Sequence, residues 1–302
     1  MKKIQSKLRL LLFLPIIPIL LVFWGLLEPY FIDETETVAN IPNLPESWEG
    51  KKIAQVSDFQ IGMWLDNTNT IRRSISKLVE ERPAAVLISG DFIYHSLPDA
   101  SPEINKVLEL IRPLTEANIP TYAVLGNHDY SHKPPKAELG QRVEAALEDI
   151  GVVVLQNEAV KLELSETNAE NPEQKALYLV GIGSRIAERD RVREALEQVP
   201  SESPRIAMMH NPQSFEKFPA RTAPFAVAGH THGGQIRLPF SPQWSWLALT
   251  HKDEVYVDGW IDDYGEAGNQ LYVNRGMGFS DIPIRLNCPP EVTFFVLKSQ
   301  QS

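Results

Sequence analysis

The chain has 302 residues, 43% apolar and 23% charged, enough to bury an ordinary globular core without covalent staples. Its single cysteine, Cys288, excludes an intramolecular disulfide and a zinc–thiolate cluster. The formal charge is −10 although the first nine residues carry Lys2, Lys3, Lys7 and Arg9 and no acid, so the remainder is strongly acidic and poorly suited to broad nucleic-acid binding.

Leu10 to Leu27 is an unbroken uncharged run (LLLFLPIIPILLVFWGLL). As a helix it would be about 27 Å long, close to the hydrocarbon thickness of a bilayer, which predicts a transmembrane anchor over residues 10–27 behind a basic cytoplasmic N-terminus over 1–9. Pro15 and Pro18 are tolerated in lipid, and Trp24 and Tyr30 fall where aromatic side chains favour the interface. No small-x-small cleavage site follows, which argues against a cleaved signal peptide. Bases before the span and acids after it place the rest of the chain outside the cytoplasm by the positive-inside rule. Residues 28–48, polar and proline-punctuated, read as a linker, and residues 49–299 as the folded domain.

Within that domain, short strand-like runs are expected at Lys52–Val56, Ala84–Ser89, Thr121–Leu125, Leu177–Ile182, Arg205–Met209, Phe225–Ala228, Leu271–Asn274 and Val292–Leu297. Helical patterns alternate with them. Asn67–Glu81 places Ile71, Ile75, Leu78 and Val79 on one face; Ser101-Pro102-Glu103 opens a second helix; Glu138–Ile150 and Glu188–Val199 are further candidates. The alternation predicts a layered α/β domain.

The chemistry-bearing residues follow the strands. Asp58 follows the first strand in QVSDFQ, Asp91 the second in VLISGDF, and Asn127, His128 and Asp129 the third in AVLGNHD; His210 follows a later strand in IAMMHNP, and His230 and His232 the next in AVAGHTHGG. Ligands bind at the C-terminal ends of strands in α/β sheets, so these residues are expected to converge on one crevice. Mixed oxygen and imidazole donors suit divalent Mn, Fe or Zn. Two such ions about 3.5–4 Å apart need a shared anionic ligand, and Asp91, alone on its loop after Gly90, is the natural bridge.

Together, Asp58-x-Gln60, Gly90-Asp91, Gly126-Asn127-His128-Asp129, His210 and Gly229-His230-Thr231-His232 resemble the ordered signature of calcineurin-like metallophosphoesterases, from about Lys51 to Leu297. GHTHGGQI and the later YVNRGMGFSDIPIRLNCPPEVTFF resemble more narrowly the branch of membrane-tethered bacterial phosphodiesterases. The resemblance implies a four-layer α/β/β/α sandwich with a dinuclear site at the edge of its sheets. It implies that Asp58 and His232 hold one metal, that Asn127, His210 and His230 hold the other, and that Asp91 bridges them. His128 would act on the scissile bond and Asp129 would orient its imidazole.

Gln60 departs from the signature, which has histidine there. Its carbonyl could ligate, more weakly and with a preference for Mn or Mg over Zn, or the amide could hydrogen-bond a metal-bound water. Outside the signature, His95 and His132 are substrate contacts or solvated loop residues, and Arg185 and Arg275 are phosphate contacts or internal ion pairs. His251 carries no reading of its own, and Trp244 and Trp246 touch a membrane or lipid or simply pack.

The expected activity is two-metal hydrolysis of a phosphodiester or phosphomonoester, the anchor pointing to a lipid or cell-envelope substrate. The alternatives are a cytoplasm-facing pyrophosphohydrolase of the UDP-diacylglucosamine type and a membrane-tethered, non-catalytic binding protein.

Overall fold

Runs of β-branched and aromatic residues bounded by turn residues build two mixed sheets. The computed structural model describes residues 16–65, 67–94, 99–131, 134–164, 176–238, 241–245, 247 and 257–300. The first sheet has the strand order β1-β14-β2-β3-β4-β5: β1 is Asp33–Ile41, β2 Lys52–Val56, β3 Ala85–Ile88, β4 Thr121–Ala123, β5 Val153–Val154 and β14 Glu291–Ser299. The second has the order β12-β13-β9-β8-β7-β6: β6 is Glu158–Lys161, β7 Tyr178–Gly181, β8 Arg205–Met208, β9 Ala226–Ala228, β12 Gly259–Ile261 and β13 Leu271–Val273. A separate two-stranded ribbon pairs β10, Arg237–Leu238, with β11, Ser241–Ser245.

Strands β2 to β5 are mutually parallel, as are β7, β8, β9 and β13, so each sheet sends several loops to one edge. The sheets face each other across a core in which Ile53, Leu87 and Phe295 meet Met208, Phe225 and Tyr272; the Phe225 and Phe295 rings lie 4.8 Å apart. Helix α1 is Ile16–Leu27. Helices α2 (Thr68–Glu81), α3 (Ser101–Glu116) and α4 (Ala137–Asp149) belong to the core cluster on the first sheet's outer face. In α2 the buried Ile71, Ile75 and Leu78 recur at helical spacing and form its inward stripe. Helix α5 (Val192–Leu196) and the turn Pro212–Lys217 cover the second sheet through Val192, Ala195 and Phe215.

Two expectations are corrected. A transmembrane helix over 10–27 is not found: among the described residues no helix is long and apolar enough to cross a membrane. Among the described residues helix α1 is Ile16–Leu27, about 18 Å; residues 1–15, including the expected basic terminus and the start of the apolar run, lie outside them. Its C-terminal end is tied to the domain. Gly25 is buried, its carbonyl accepts the Arg285 N–H at 3.0 Å, and a Cβ there would lie 2.5 Å from Ile284. The carboxyl of buried Glu28 accepts N–H bonds from Trp24 Nε1 (2.7 Å), Asn287 (3.0 Å) and Cys288. Apolarity measures the length of the run but not what the helix docks against. The single-pass topology, the extracytoplasmic placement and the bilayer partner are withdrawn with the anchor.

The expected linker also differs. Asp33–Ile41 is an edge strand in continuous parallel register with Glu291–Ser299. It reads as polar because Asp33, Glu34, Glu36 and Asn40 face solvent at the edge while Ala39 and Ile41 are buried.

Candidate metal centre

Every signature residue sits just past the C-terminal end of a strand. Asp58 and Gln60 follow β2, Asp91 follows β3, Asn127 follows β4, His210 follows β8, and His230 and His232 follow β9. The loops turn sharply. Asp58, Gln60, Asp91, His230 and His232 all have φ between 50° and 76°, a region costly to ordinary L-residues. Such strain, about 1–3 kcal/mol per residue, persists only where the surrounding fold imposes it and is concentrated at functional sites. Close approach adds to it: a Cβ on Gly126 would lie 2.1 Å from Asp91 Oδ1, so only glycine lets the two loops touch.

The donors form two clusters with one member in common. Asp91, His210 and His230 offer ligand atoms within 4.8 Å of one another, and so do Asp58, Asp91 and His232. The shared carboxylate is thus placed between two metal positions. His210 Nδ1–H donates to the Ser89 carbonyl at 2.7 Å, which turns Nε2 inward, 3.2 Å from Asp91 Oδ2 and 3.2 Å from His230 Nδ1. His232 Nε2 lies 3.5 Å from Asp58 Oδ1. Asp58 also accepts the His230 N–H, and Asp91 Oδ1 accepts the His128 N–H at 2.8 Å.

Gln60 is buried at the first position, its Nε2 2.9 Å from Asp91 Oδ2 and 3.4 Å from His232 Nε2, and its Oε1 is buried with no hydrogen-bond partner. Turning the amide about its last torsion would bring that oxygen among the ligands.

The electrostatics fit bound cations. Burial opposes charge on Asp91, yet His210 and then His128 hold its carboxyl well below the usual range. Burial likewise opposes charge on His210, but Asp91 overrides it and pushes the imidazole up to about 9. His232 goes the other way, down to about 4, through burial and the nearby Arg285, against the pull of Asp58. Mutually facing nitrogens and carboxylate oxygens, buried and at unlike protonation, are the donor set that two divalent ions would satisfy, and the residues present fit such a pair.

Asp129 and His128 part company. Asp129 Oδ1 accepts the N–H groups of Phe92 (2.8 Å) and Ile93 (3.2 Å), and Oδ2 those of Asp91 (3.0 Å) and Gly126 (2.8 Å). Burial and Asp91 push this carboxyl up to about 7, against the amides of Gly126 and Ile93. Asp129 therefore fastens the Asp91 turn to the Asn127 loop. His128 Nδ1 donates instead to the Tyr94 carbonyl at 2.7 Å, and the two rings stack with centroids 5.1 Å apart at 19°.

Sequence reasoning also missed the support behind the ligands. Gly278 N–H donates to the Asp58 carbonyl at 2.7 Å. Arg285, wholly buried, donates to the carbonyls of Gly278 (2.8 Å from Nε), Arg275 (2.8 Å) and Cys288 (3.1 Å), and lies 3.4 Å from that of His232. Cys288 Sγ–H shares the His232 and Gly233 carbonyls at 3.2 Å. Among the other residues considered, Arg275 pairs with Asp33 and Glu291, and Arg185 donates to the Gln213 carbonyl at 3.0 Å. Trp244 is exposed on β11. His95, His132, Trp246 and His251 lie outside the described residues.

Residues 51–234 match the family model for calcineurin-like phosphoesterases. Phosphodiesterase YaeI of Escherichia coli (strain K12) is 32% identical over 232 residues, 75% of this chain and 75% of its own. The uncharacterized metallophosphoesterase YkuE of Bacillus subtilis (strain 168) is 27% identical over 276 residues, 90% of this chain and 88% of its own. A crystal structure of a dimetal phosphatase from Danio rerio covers 76% of this chain and 88% of its own at 13% identity, and its TM-score of 0.39 is too low to carry weight. None of this supports the narrower, membrane-tethered branch, since no described helix could span a bilayer. With the signature assembled around a carboxylate common to two ligand clusters, the chain belongs to the calcineurin-like phosphoesterases and is a metal-dependent phosphoesterase.

Proposed function

We propose that the protein hydrolyses phosphodiester bonds, with phosphomonoesters as poorer substrates. The observation that carries this is Asp91, shared by two ligand clusters and hydrogen-bonded to the backbone of His128. The diester preference draws on the 32% identity to a protein named as a phosphodiesterase. When bound, two divalent ions of Mn, Fe, Zn or Mg supply charge neutralisation for the phosphoryl oxygens and activate a water near neutral pH. Asp58, Gln60 and His232 would hold one ion, Asn127, His210 and His230 the other, with Asp91 between them.

The chain's own groups do the rest. His128 donates through Nδ1 to Tyr94, so the proton it can give or take is the one on Nε2, and it protonates the departing oxygen. Asp129 keeps the Asp91 and Asn127 loops in register through its four N–H bonds. A lipid or cell-envelope substrate rests on the anchor alone and falls with it.

The test is hydrolysis of bis-p-nitrophenyl phosphate against p-nitrophenyl phosphate by the full chain with Mn, Zn, Mg or a chelator. Metal-dependent turnover that favours the diester and is abolished by chelator is the expected result. Faster monoester turnover would sink the diester assignment.

A further inference from the structure

Tyr94 touches the acid-donating histidine in two ways and is itself held by a third element. It follows Asp91 by three residues and is nearly buried against Met63 and Phe279. Its carbonyl accepts the His128 Nδ1–H at 2.7 Å, and its ring stacks on the imidazole at 5.1 Å. Its phenol donates to Asp281 Oδ1 and accepts the Asp281 N–H, both at 3.2 Å. Asp281 sits in the loop after β13, with φ of 62°, beside the Gln235-bound backbone of Ser280. One side chain therefore links the Asp91 turn, the His128 ring and the C-terminal loop.

A carbonyl can only accept, so this contact keeps a proton on Nδ1 throughout, and the proton passed to the leaving oxygen is the second one, which the imidazolium form carries on Nε2. A flat aromatic partner limits rotation of the imidazole about its own ring torsion, which one hydrogen bond alone does not. Misplacement of a reacting group by an ångström can cost about 100-fold, so such a restraint has kinetic value.

We propose that Tyr94 is the positioning residue of His128: its carbonyl and ring, anchored through Asp281, hold Nε2 where it can protonate the leaving oxygen. The proposal rests on the reading of His128 as the proton donor. It predicts a penalty that scales with the leaving group's need for a proton, which a merely structural residue would not produce.

The experiment compares methyl phenyl phosphate, whose leaving group needs protonation, with methyl p-nitrophenyl phosphate, whose leaving group does not. It uses the full chain loaded with Mn, and metal content is measured for every variant. His128→Ala should lower kcat on the phenyl ester by about 10²–10⁴-fold and on the nitrophenyl ester far less. Tyr94→Ala should change the ratio of the two kcat values in the same sense by about tenfold or more, the scale at which groups behind a reactive ligand act. Tyr94→Phe, which keeps the stacked ring and loses only the hydroxyl bonded to Asp281, should fall between Tyr94→Ala and wild type. Asp281→Ala, at an exposed position, should shift the ratio in the same sense and decides the matter if Tyr94→Ala loses metal or fails to fold.

A uniform loss on both esters in Tyr94→Ala and Asp281→Ala, or none, beside a selective loss in His128→Ala, overturns the role of Tyr94 and leaves His128 standing. A uniform loss in His128→Ala overturns the proton-donor reading and the Tyr94 proposal with it.

Discussion

The two metal positions share Asp91 but are built differently. At the position of His210 and His230, support comes from the turn that carries the shared ligand: the Ser89 carbonyl, two residues before Asp91, fixes the tautomer of fully buried His210. At the position of Asp58, Gln60 and His232, support comes from far along the chain. Gly276 and Gly278 press on Asp58, and Arg285 and Cys288 back the His232 carbonyl. Their imidazoles are also driven in opposite directions, His210 up by Asp91 against burial and His232 down by burial and Arg285. A binuclear site of this kind can be loosened at one ion without disturbing the other.

The largest effect should come from the group common to both positions. Asp91→Asn removes the shared charge, and since groups that merely back a ligand cost about 10–100-fold, the loss of activity should exceed about a thousandfold. Metal analysis should show both ions depleted. Retention of one ion at full affinity would mean that Asp91 serves a single position, and the comparison would have to be redrawn.

Next is Gly276→Ala. Gly276 has φ of +70°, and an added Cβ would lie 2.7 Å from Asp58 Cβ and 2.8 Å from its Oδ2. Strained backbone costs about 1–3 kcal/mol, and Asp58 must shift besides. A chelator titration should show two steps, with only the weaker-held ion released earlier, by about tenfold or more. Parallel release of both would show that the positions are not separable.

Gln60→His sharpens the same contrast in the favourable direction. The amide already lies 2.9 Å from Asp91 and 3.4 Å from His232, so an imidazole there adds a nitrogen donor to a position that has only one. Affinity at that position should rise by about tenfold, with preference moving from Mn or Mg toward Zn. An unchanged titration would indicate that residue 60 stands outside the ligand set and serves as a hydrogen-bond donor to Asp91.

The asymmetry also explains what was readable in the residues. Side chains that act directly carry their chemistry in their type: a carboxylate or imidazole after an apolar strand announces itself, and Asp58, Asp91, His210, His230 and His232 come together. The supporting atoms carry no such mark. The Ser89 and Tyr94 carbonyls belong to residues whose side chains say nothing of the role, and Arg285 bonds main-chain oxygens rather than an acid. The resemblance implies that Asp129 orients His128, whereas its carboxyl binds four backbone N–H groups. Asp129 follows His128 within a 3-10 turn, His128–Tyr130, where successive side chains diverge by about 120°, so neighbours in sequence face different partners. Asp33–Ile41 looked like linker because an edge strand shows its polar face, and the apolar run before it gave no hint that Glu28 would turn inward.

Glu28 offers the smallest and most distant test. Its carboxyl accepts N–H bonds from Asn287 and Cys288, and Cys288 in turn donates to the His232 carbonyl. Glu28→Ala leaves the buried Cys288 amide without its acceptor, at a cost of about 1–3 kcal/mol. For a domain this size that lowers Tm by roughly 5 °C. The turn behind His232 loosens with it, so the ion held by Asp58 and His232 should bind severalfold more weakly while the one at His210 and His230 is unmoved. Trp24→Phe, which removes the Nε1 donor to Glu28 and keeps an aromatic ring beside Phe31, should leave the metal titration as in wild type. A fall in Tm with both ions unchanged would confine Glu28 to stability, and the reach of the asymmetry would then stop at residues 276–288.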